Sequence, residues 1–280
     1  MSRMAMVDKA YRGIEKVLAE AWSNRLSCDG RRTGRKIEDR GGKQYMFTGI
    51  IEEIGIIRKI QRGQVSGKLT IGAYKVLSDA KVGDSIAVNG ICLTVTSLVP
   101  DGFTVDVMHE TFDRSNVGSF RVGTKVNLER AMAADGRFGG HIVAGHIDDT
   151  GTIEKRWKDE NAVWYEIKAP AHVMRYLVEK GSIAIDGVSL TVAKVEKDRF
   201  YVSVIPHTED MTIMSEKRAG DRVNLENDCI GKYVEKLLGL CSDAVAGTAE
   251  RVTGADRKRN GTDKKGNVTE KLLAENGFLL

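Results

Sequence analysis

The sequence predicts a mainly β protein: two tandem copies of one small antiparallel barrel or sandwich, followed by a helix. Three observations carry this. The first is an internal repeat. Ser85-Ile-Ala-Val-Asn-Gly-Ile-Cys-Leu-Thr-Val-Thr96 aligns with Ser182-Ile-Ala-Ile-Asp-Gly-Val-Ser-Leu-Thr-Val-Ala193 at a spacing of 97 residues. The same spacing carries Phe103 onto Phe200, Thr111 onto Thr208, Gly123 onto Gly220 and Val126-Asn-Leu-Glu129 onto Val223-Asn-Leu-Glu226. Register kept without a gap from residue 85 to residue 129 marks a duplicated unit. Upstream, Gly49 pairs with Gly145 at a spacing of 96, so one position was inserted or lost between them. The second observation is a hairpin signal in each copy. Asn89-Gly90 and Asp186-Gly187 stand between alternating strands and tolerate the positive φ of a type I′ turn. The third is the run of short β-type segments separated by Gly, Asp and Asn, with few helical patterns, as in small antiparallel barrels and sandwiches.

Along the chain, residues 1–45 open with Val7, Tyr11, Ile14, Val17, Leu18 and Ala21 at helical spacing, followed by a polar Gly/Arg-rich linker. Alternation then assigns faces in each copy. Ile91, Leu93 and Val95 share one side of a strand with Cys92 and Thr94 on the other; Val188, Leu190 and Val192 face inward with Ser189 and Thr191 outward. Between Asp228 and Leu240, Ile230, Tyr233, Val234, Leu237 and Leu238 form a helical stripe. A helix of about a dozen residues is marginal alone in water and must pack on something. Folding back on its own barrel and association with other copies of the chain stand level from the pattern. Beyond it lies a polar tail, with a second short helix expected from Thr269 as N-cap to Gly277 as terminator.

Composition narrows the class. Of 280 residues, 41% are hydrophobic and 29% charged, enough apolar material for a packed core. No apolar run is long enough to span a bilayer, and no leader pattern is present, so a cytoplasmic location is expected. The four cysteines, Cys28, Cys92, Cys229 and Cys241, form no C-x-x-C pair, which argues against a zinc site or a disulfide framework. The net charge of +4 is misleading about partners. Residues 1–45 hold eleven basic against six acidic side chains, whereas residues 46–240 hold 25 against 27. A nucleic-acid-binding barrel would concentrate positive charge and exposed aromatics on the folded part. Neither a Walker-type loop nor a Rossmann fingerprint occurs, so a nucleotide cofactor has no support.

Several side chains have the chemistry of a site. Cys92 and Ser189 occupy the same place in the two copies. Each reads either as a nucleophile or ligand contact, or as a small residue on a solvated face. Thr94 and Thr191 add a second hydrogen-bonding group to each face, about 6.6–6.8 Å along the strand. Phe138-Gly-Gly-His-Ile-Val-Ala-Gly-His146 holds His141 and His146 at a spacing that does not stack two imidazoles on a helix face, which speaks against a metal pair. His146 is a candidate acid or base, since imidazole titrates near neutrality. His109-Glu-Thr111 and His207-Thr208 follow strands, where ligand contacts and plain loop tips both occur. Lys180 is either an anion partner or an exposed lysine.

Met46-Phe-Thr-Gly-Ile50, Asn89-Gly-Ile-Cys-Leu-Thr-Val95, Gly139-Gly-His141 with Gly145-His146, Ile185-Asp-Gly-Val-Ser-Leu-Thr-Val192 and Ile205-Pro-His-Thr208 together resemble riboflavin synthase, a family built from two lumazine-binding repeats. The likeness covers residues 46 to about 240 and leaves residues 1–45 as an addition without a family counterpart. It implies two six-stranded antiparallel Greek-key barrels over 46–141 and 142–228, a trimerisation helix over 229–240 and a polar tail over 241–280. It also implies a transferase that dismutates two molecules of 6,7-dimethyl-8-ribityllumazine by four-carbon transfer. The products are riboflavin and 5-amino-6-ribitylaminouracil; no cofactor or metal takes part. A homotrimer, with sites shared between neighbouring chains, and possible association with lumazine synthase complete the picture. The alternative on the same fold is a non-catalytic lumazine or flavin carrier.

By position, the resemblance assigns Gly49, Ile50, Ile51, Cys92, Leu93, Thr94, Asp106, Val107, Met108, His109, Glu110 and Thr111 to the ligand of the first barrel. It assigns Gly139, Gly140, His141, Lys180, Ser189, Leu190, Thr191, Ile205, Pro206, His207, Thr208, Glu209 and Asp210 to that of the second. Phe47 is expected to stack near a ring. Cys92, His146, Ser189 and Asp228 are expected to move protons or activate a nucleophile. Cys92 against Ser189, and Glu110 against His207, are the differences expected to make one pocket donor and the other acceptor.

Overall fold

In a computed structural model of the chain, described over residues 46–63, 66–133 and 135–237, twelve strands close two barrels. The expected helices near the two ends of the chain lie outside the described residues. The first barrel comprises β1 (Glu53–Arg62), β2 (Ser66–Gly72), β3 (Ser85–Val88), β4 (Ile91–Val99), β5 (Gly102–Met108) and β6 (Lys125–Arg130), in the closed order β1-β2-β5-β4-β3-β6. The second comprises β7 (Asp149–Asp159), β8 (Ala162–Lys168), β9 (Ser182–Ile185), β10 (Val188–Val195), β11 (Arg199–Val204) and β12 (Arg222–Asn227). Its order, read from β7, is β7-β8-β11-β10-β9-β12, the same cyclic path. All pairings are antiparallel, and the jumps β2-β5 and β3-β6 give the Greek-key connection. Even the irregularities repeat: β1 and β7 shift register after Ile57 and Ile153, and β4 and β10 after Val95 and Val192. Such bulges bend the strands that a closed barrel must curve.

Short helices punctuate the barrels: α1 (His109–Arg114) after β5, α2 (Ala171–Met174) before β9, α3 (Pro206–Met211) after β11 and α4 (Cys229–Leu237) after β12. The alternation expected for β4 and β10 is present. Ile91, Leu93, Val95, Val188, Leu190 and Val192 are buried, while Cys92, Thr94, Ser189 and Thr191 are partly or fully exposed. The hairpin turns have the expected left-handed pairs, with φ of +48° and +78° at Asn89-Gly90 and +45° and +82° at Asp186-Gly187. These turns meet one another: a Cβ on Gly90 would lie 2.7 Å from the Gly187 nitrogen.

Around that contact the copies are laced by a reciprocal set of buried polar bonds. Asn127 donates its side-chain amide to the Asp186 carbonyl, and Asn224 donates to the Asn89 carbonyl, both at 2.9 Å. In return Asn89 and Asp186 accept the main-chain N–H of Asn127 and Asn224, each at 2.8 Å. Asp186 is wholly buried and is neutralised by Lys217 at 2.6 Å. In the first copy Asn89 needs no such partner, and the buried Phe120 stands where Lys217 would be.

Candidate active site

Each copy builds a cradle on the outside of one barrel. In the first, Cys92 and Thr94 on β4 and Asp106 and Met108 on β5 point outward. In the second, Ser189 and Thr191 on β10 and Ser203 on β11 do so, followed by Ile205. Met108 and Ile205 occupy equivalent places and remain 70% and 57% exposed, apolar surface suited to a flat ring. The neighbouring Leu93, Val107 and Leu190 point into the barrels, so from these positions only main-chain atoms can reach the cradle.

The segments that lead into the barrels cross over. Phe47 and Val143 pair as an isolated antiparallel bridge, with N–H···O distances of 2.8 and 3.1 Å. Beyond the bridge, Gly49 rests on the second copy, where its carbonyl accepts the Ser189 N–H at 2.8 Å. Gly145 rests on the first, where its carbonyl accepts the Cys92 N–H at 2.9 Å. Both glycines have positive φ, and a Cβ on either would lie within 2.6 Å of the side chain it faces. This regroups the expected ligand set. Gly49, Ile50 and Ile51, assigned to the first barrel, lie with the second: Ile50 beside Gly139, and Ile51 against the second barrel's core. His146 is exposed and follows directly on Gly145, the residue bonded to Cys92, and Ile147 packs on the first barrel. Main-chain contacts between residues so distant in sequence leave only the two glycines as a signature, and these do not name the partner.

Phe47 also departs from expectation. Its ring is fully buried with Ala87, Val143 and Ala184 in the seam between barrels, leaving no face for a ligand. Glu209, expected to touch ligand, is buried as well. Its carboxylate accepts from the Tyr165 hydroxyl and from Arg156 at 3.0 Å, so it anchors α3. The rest of the two strand-end runs is open. His109, Glu110, Pro206, His207 and Asp210 are exposed, and Thr111 and Thr208 are half-buried. His109 pairs with Asp113 at 3.0 Å and Glu110 with Arg114 at 3.0 Å, while Asp106 lies 3.5 Å from Lys68.

His141 Nδ1 lies 2.7 Å from Ser189 Oγ. Gly140 allows this closeness, since a Cβ there would meet the Thr48 carbonyl at 2.0 Å. Burial lowers the His141 pKa, opposed in part by the charge of Asp228. The imidazole is therefore neutral at neutral pH and able to take a proton; its buried Nε2 has no partner among the described residues. Asp228 itself caps α4, accepting the Ile230 N–H at 3.0 Å. Burial raises the Cys92 thiol, with the Ser85 side chain opposing and the Glu226 charge adding, so Cys92 is a neutral thiol at rest. Lys180 is exposed and held at φ +67°, where the first copy has Gly83 at φ +94°.

Two residues escaped the sequence reading. Glu129 accepts the Thr48 N–H at 2.7 Å and the Gly49 N–H at 3.0 Å. Glu226 accepts the Ala144 N–H at 2.7 Å and the Gly145 N–H at 3.0 Å. Burial pushes both upward, Glu226 to about 7. The signal was the repeated Val-Asn-Leu-Glu, which places a buried acid within a strand in both copies. Among the described residues no group of three or more His, Cys, Asp or Glu is arranged to hold a metal ion.

A lumazine binding domain matches residues 48–131 and again residues 144–228. The riboflavin synthase of Actinobacillus pleuropneumoniae is 54% identical over 193 residues, covering 69% of this chain and 90% of that protein. That of Bacillus subtilis is 51% identical over 193 residues with the same coverage, and that of Mycobacterium bovis 51% over 197 residues, covering 69% and 98%. Among solved structures, LumP complexed with riboflavin superposes with a TM-score of 0.61 at 26% identity, covering 65% of this chain and 99% of that one. LumP complexed with 6,7-dimethyl-8-(1'-D-ribityl) lumazine gives 0.59 at the same identity. With two matched domains, two closed barrels and a cradle in each copy, the chain belongs to the lumazine-binding riboflavin synthase family.

Proposed function

We propose that the chain is a riboflavin synthase: it takes two molecules of 6,7-dimethyl-8-ribityllumazine, moves a four-carbon unit from one to the other, and releases riboflavin and 5-amino-6-ribitylaminouracil. The observation that carries this is the doubled cradle. One chain presents Cys92 with Thr94 and Ser189 with Thr191 on equivalent strands, for a reaction that consumes two copies of one molecule. Holding two reactants in register is worth an effective molarity of about 10⁵–10⁸ M, so positioning supplies much of the rate without a strong acid or base. The available proton carriers fit that role. His141, neutral and bonded to Ser189, can accept a proton at an imidazole nitrogen, and the un-ionised Cys92 thiol can donate one at Sγ.

Both cradles lie on outer barrel faces, and α4 exposes Ile230, Tyr233, Val234 and Leu237. These support a homotrimer in which a neighbouring chain covers α4 and the cradle of one copy faces that of another. A carrier on the same fold is the second reading, supported by the LumP likeness at 26% identity; the synthases at 51–54% outweigh it. Mixing the protein with 6,7-dimethyl-8-ribityllumazine and following flavin absorbance tests the proposal. Riboflavin and the uracil product in equal amounts are expected; tight lumazine binding without flavin would select the carrier.

A further inference from the structure

We propose that Glu226 and Glu129 are positioning residues that seat each copy's leading segment on the other copy's reactive strand. The inference deepens the synthase reading and rests on it for the turnover arm of its test. Glu226 is 3% exposed and places one carboxylate oxygen on the Ala144 N–H and the other on the Gly145 N–H. The peptide so fixed turns through a left-handed glycine and presents its carbonyl to the Cys92 N–H. Glu129 does the same for Thr48 and Gly49, whose carbonyl meets the Ser189 N–H. Thr48 adds its hydroxyl to Glu129 at 2.9 Å, a bond that Ala144 cannot make to Glu226.

A carboxylate suits this task because both its atoms accept. Two successive N–H groups pointing the same way leave two orphan donors, and a carboxylate satisfies both, whereas an amide turns its own N–H₂ against one of them. Burying an acid in the seam of both barrels is costly unless that pairing is made. The same costly solution stands in both copies, each time at the glycine bonded to the other copy's reactive strand: Gly49 at Ser189 and Gly145 at Cys92, with Ile50 and His146 next in the chain. The groups around Glu226 complete the setting. Lys232 and Asp148 pair at 2.5 Å on its α4 side, and Cys92 and Cys229 feel its charge.

The clamp acts across copies, and this gives it a signature that a merely structural acid lacks. Loss of the Glu226 clamp should alter Cys92, a residue of the other barrel, while loss of the Glu129 clamp should leave Cys92 untouched and disturb Ser189. The test uses the full chain with Glu226→Gln, Glu226→Asp and Glu129→Gln. Alkylation of Cys92 by iodoacetamide is followed by peptide mass spectrometry, which separates it from the other cysteines, and lumazine turnover is measured alongside. In Glu226→Gln, assayed at about pH 8 where Glu226 is ionised, Cys92 should react faster by about tenfold, the equivalent of one lost charge-assisted hydrogen bond, and kcat should fall by a similar factor with KM little changed. Glu226→Asp, too short to span both N–H groups, should show the turnover loss while keeping the charge. Glu129→Gln should lose turnover with Cys92 reacting at the wild-type rate. Cys92 reactivity unchanged in Glu226→Gln, equal acceleration in both glutamine variants, or failure of both Glu226 variants to fold would overturn the assignment. Wild-type protein that makes no riboflavin would sink the synthase reading alone, since the alkylation arm needs no turnover.

Discussion

Replacing Gly145 by alanine tests the crossing of the leading segments more directly than any charged substitution. Two costs are separable. A left-handed backbone disfavours any L side chain by about 1–2 kcal/mol. Gly83, Gly123 and Gly145 share that condition, with φ of +94°, +92° and +80°. At Gly83 and Gly123 an added Cβ meets nothing within 4 Å, so Gly83→Ala and Gly123→Ala should cost strain alone. At Gly145 the Cβ would fall 2.5 Å from the Cys92 Cβ and 2.8 Å from the Cys92 nitrogen. Relief requires the segment to lift from the other copy, adding about 1–3 kcal/mol of overpacking. It also removes the Cys92 N–H bond, worth about 1 kcal/mol. Urea unfolding should therefore show Gly145→Ala destabilised by roughly 3–6 kcal/mol, and each control by roughly 1–2. Lumazine conversion should collapse in the first and stay within about twofold in the controls, because at Gly83 and Gly123 the new Cβ meets open space and disturbs no neighbour. Equal destabilisation of the three variants would refute the close approach.

Three further outcomes follow from the same geometry. His146→Ala should lower turnover by about 10²-fold with substrate binding retained, as expected for loss of a proton carrier; unchanged turnover in both this variant and Cys92→Ser would remove both from the chemistry. Because Glu226 titrates near 7 when folded and near its ordinary value of 4.5 when unfolded, the folded state holds the extra proton between those values. Its contribution is fully present below pH 4.5 and is lost as pH rises to 7; chemical unfolding should show wild type losing of order 3 kcal/mol against Glu226→Gln across that window, and a parallel pair of curves would contradict the shift. Lys217→Met should cost about 3–5 kcal/mol by stranding the buried Asp186 carboxylate. The double change Asp186→Asn with Lys217→Phe copies the Asn89 and Phe120 arrangement and should recover much of that loss in thermal melts, a recovery that independent sites would not show.

Much of the barrel was legible because its signals are local. Period-two alternation placed Leu93 inside and Cys92 outside, and Asn-Gly and Asp-Gly marked turns that do adopt positive φ. The repeat fixed two units from sequence alone. What escaped is non-local and carried by the main chain. Gly49 meets Ser189 through a carbonyl and an N–H, so the paired Gly49 and Gly145 mark a close backbone approach without naming the partner across the seam. Phe47 illustrates the cost of carrying a role over by position: the resemblance implied stacking near a ring, but the bridge to Val143 turns its ring into the seam. Glu209 was misread for a similar reason. Its partners Arg156 and Tyr165 come from β7 and β8, more than forty positions upstream.

The two copies share a frame but not its filling, and that difference bears on how like molecules receive unlike roles. Where the second barrel ties α3 down with Arg156, Tyr165 and Glu209, the first has Ile60, Leu69 and Phe112 at the matching places, packed on the apolar core with Arg62 over the Phe112 ring. Where the second carries Asp186 against Lys217, the first carries Asn89 and Phe120. The second cradle faces a histidine bonded to a hydroxyl, and the first a half-buried thiol whose own N–H is bonded to Gly145. Shape is therefore duplicated while charge, polarity and proton inventory are not. Two identical heterocycles entering such a pair would meet the same walls and different electrostatics, and a dismutation needs that combination: equal fit for both molecules, and an unequal pull on their protons and electrons. Neither identical halves nor unrelated ones would supply both conditions, which makes the mismatches between the copies as much a part of the function as their symmetry.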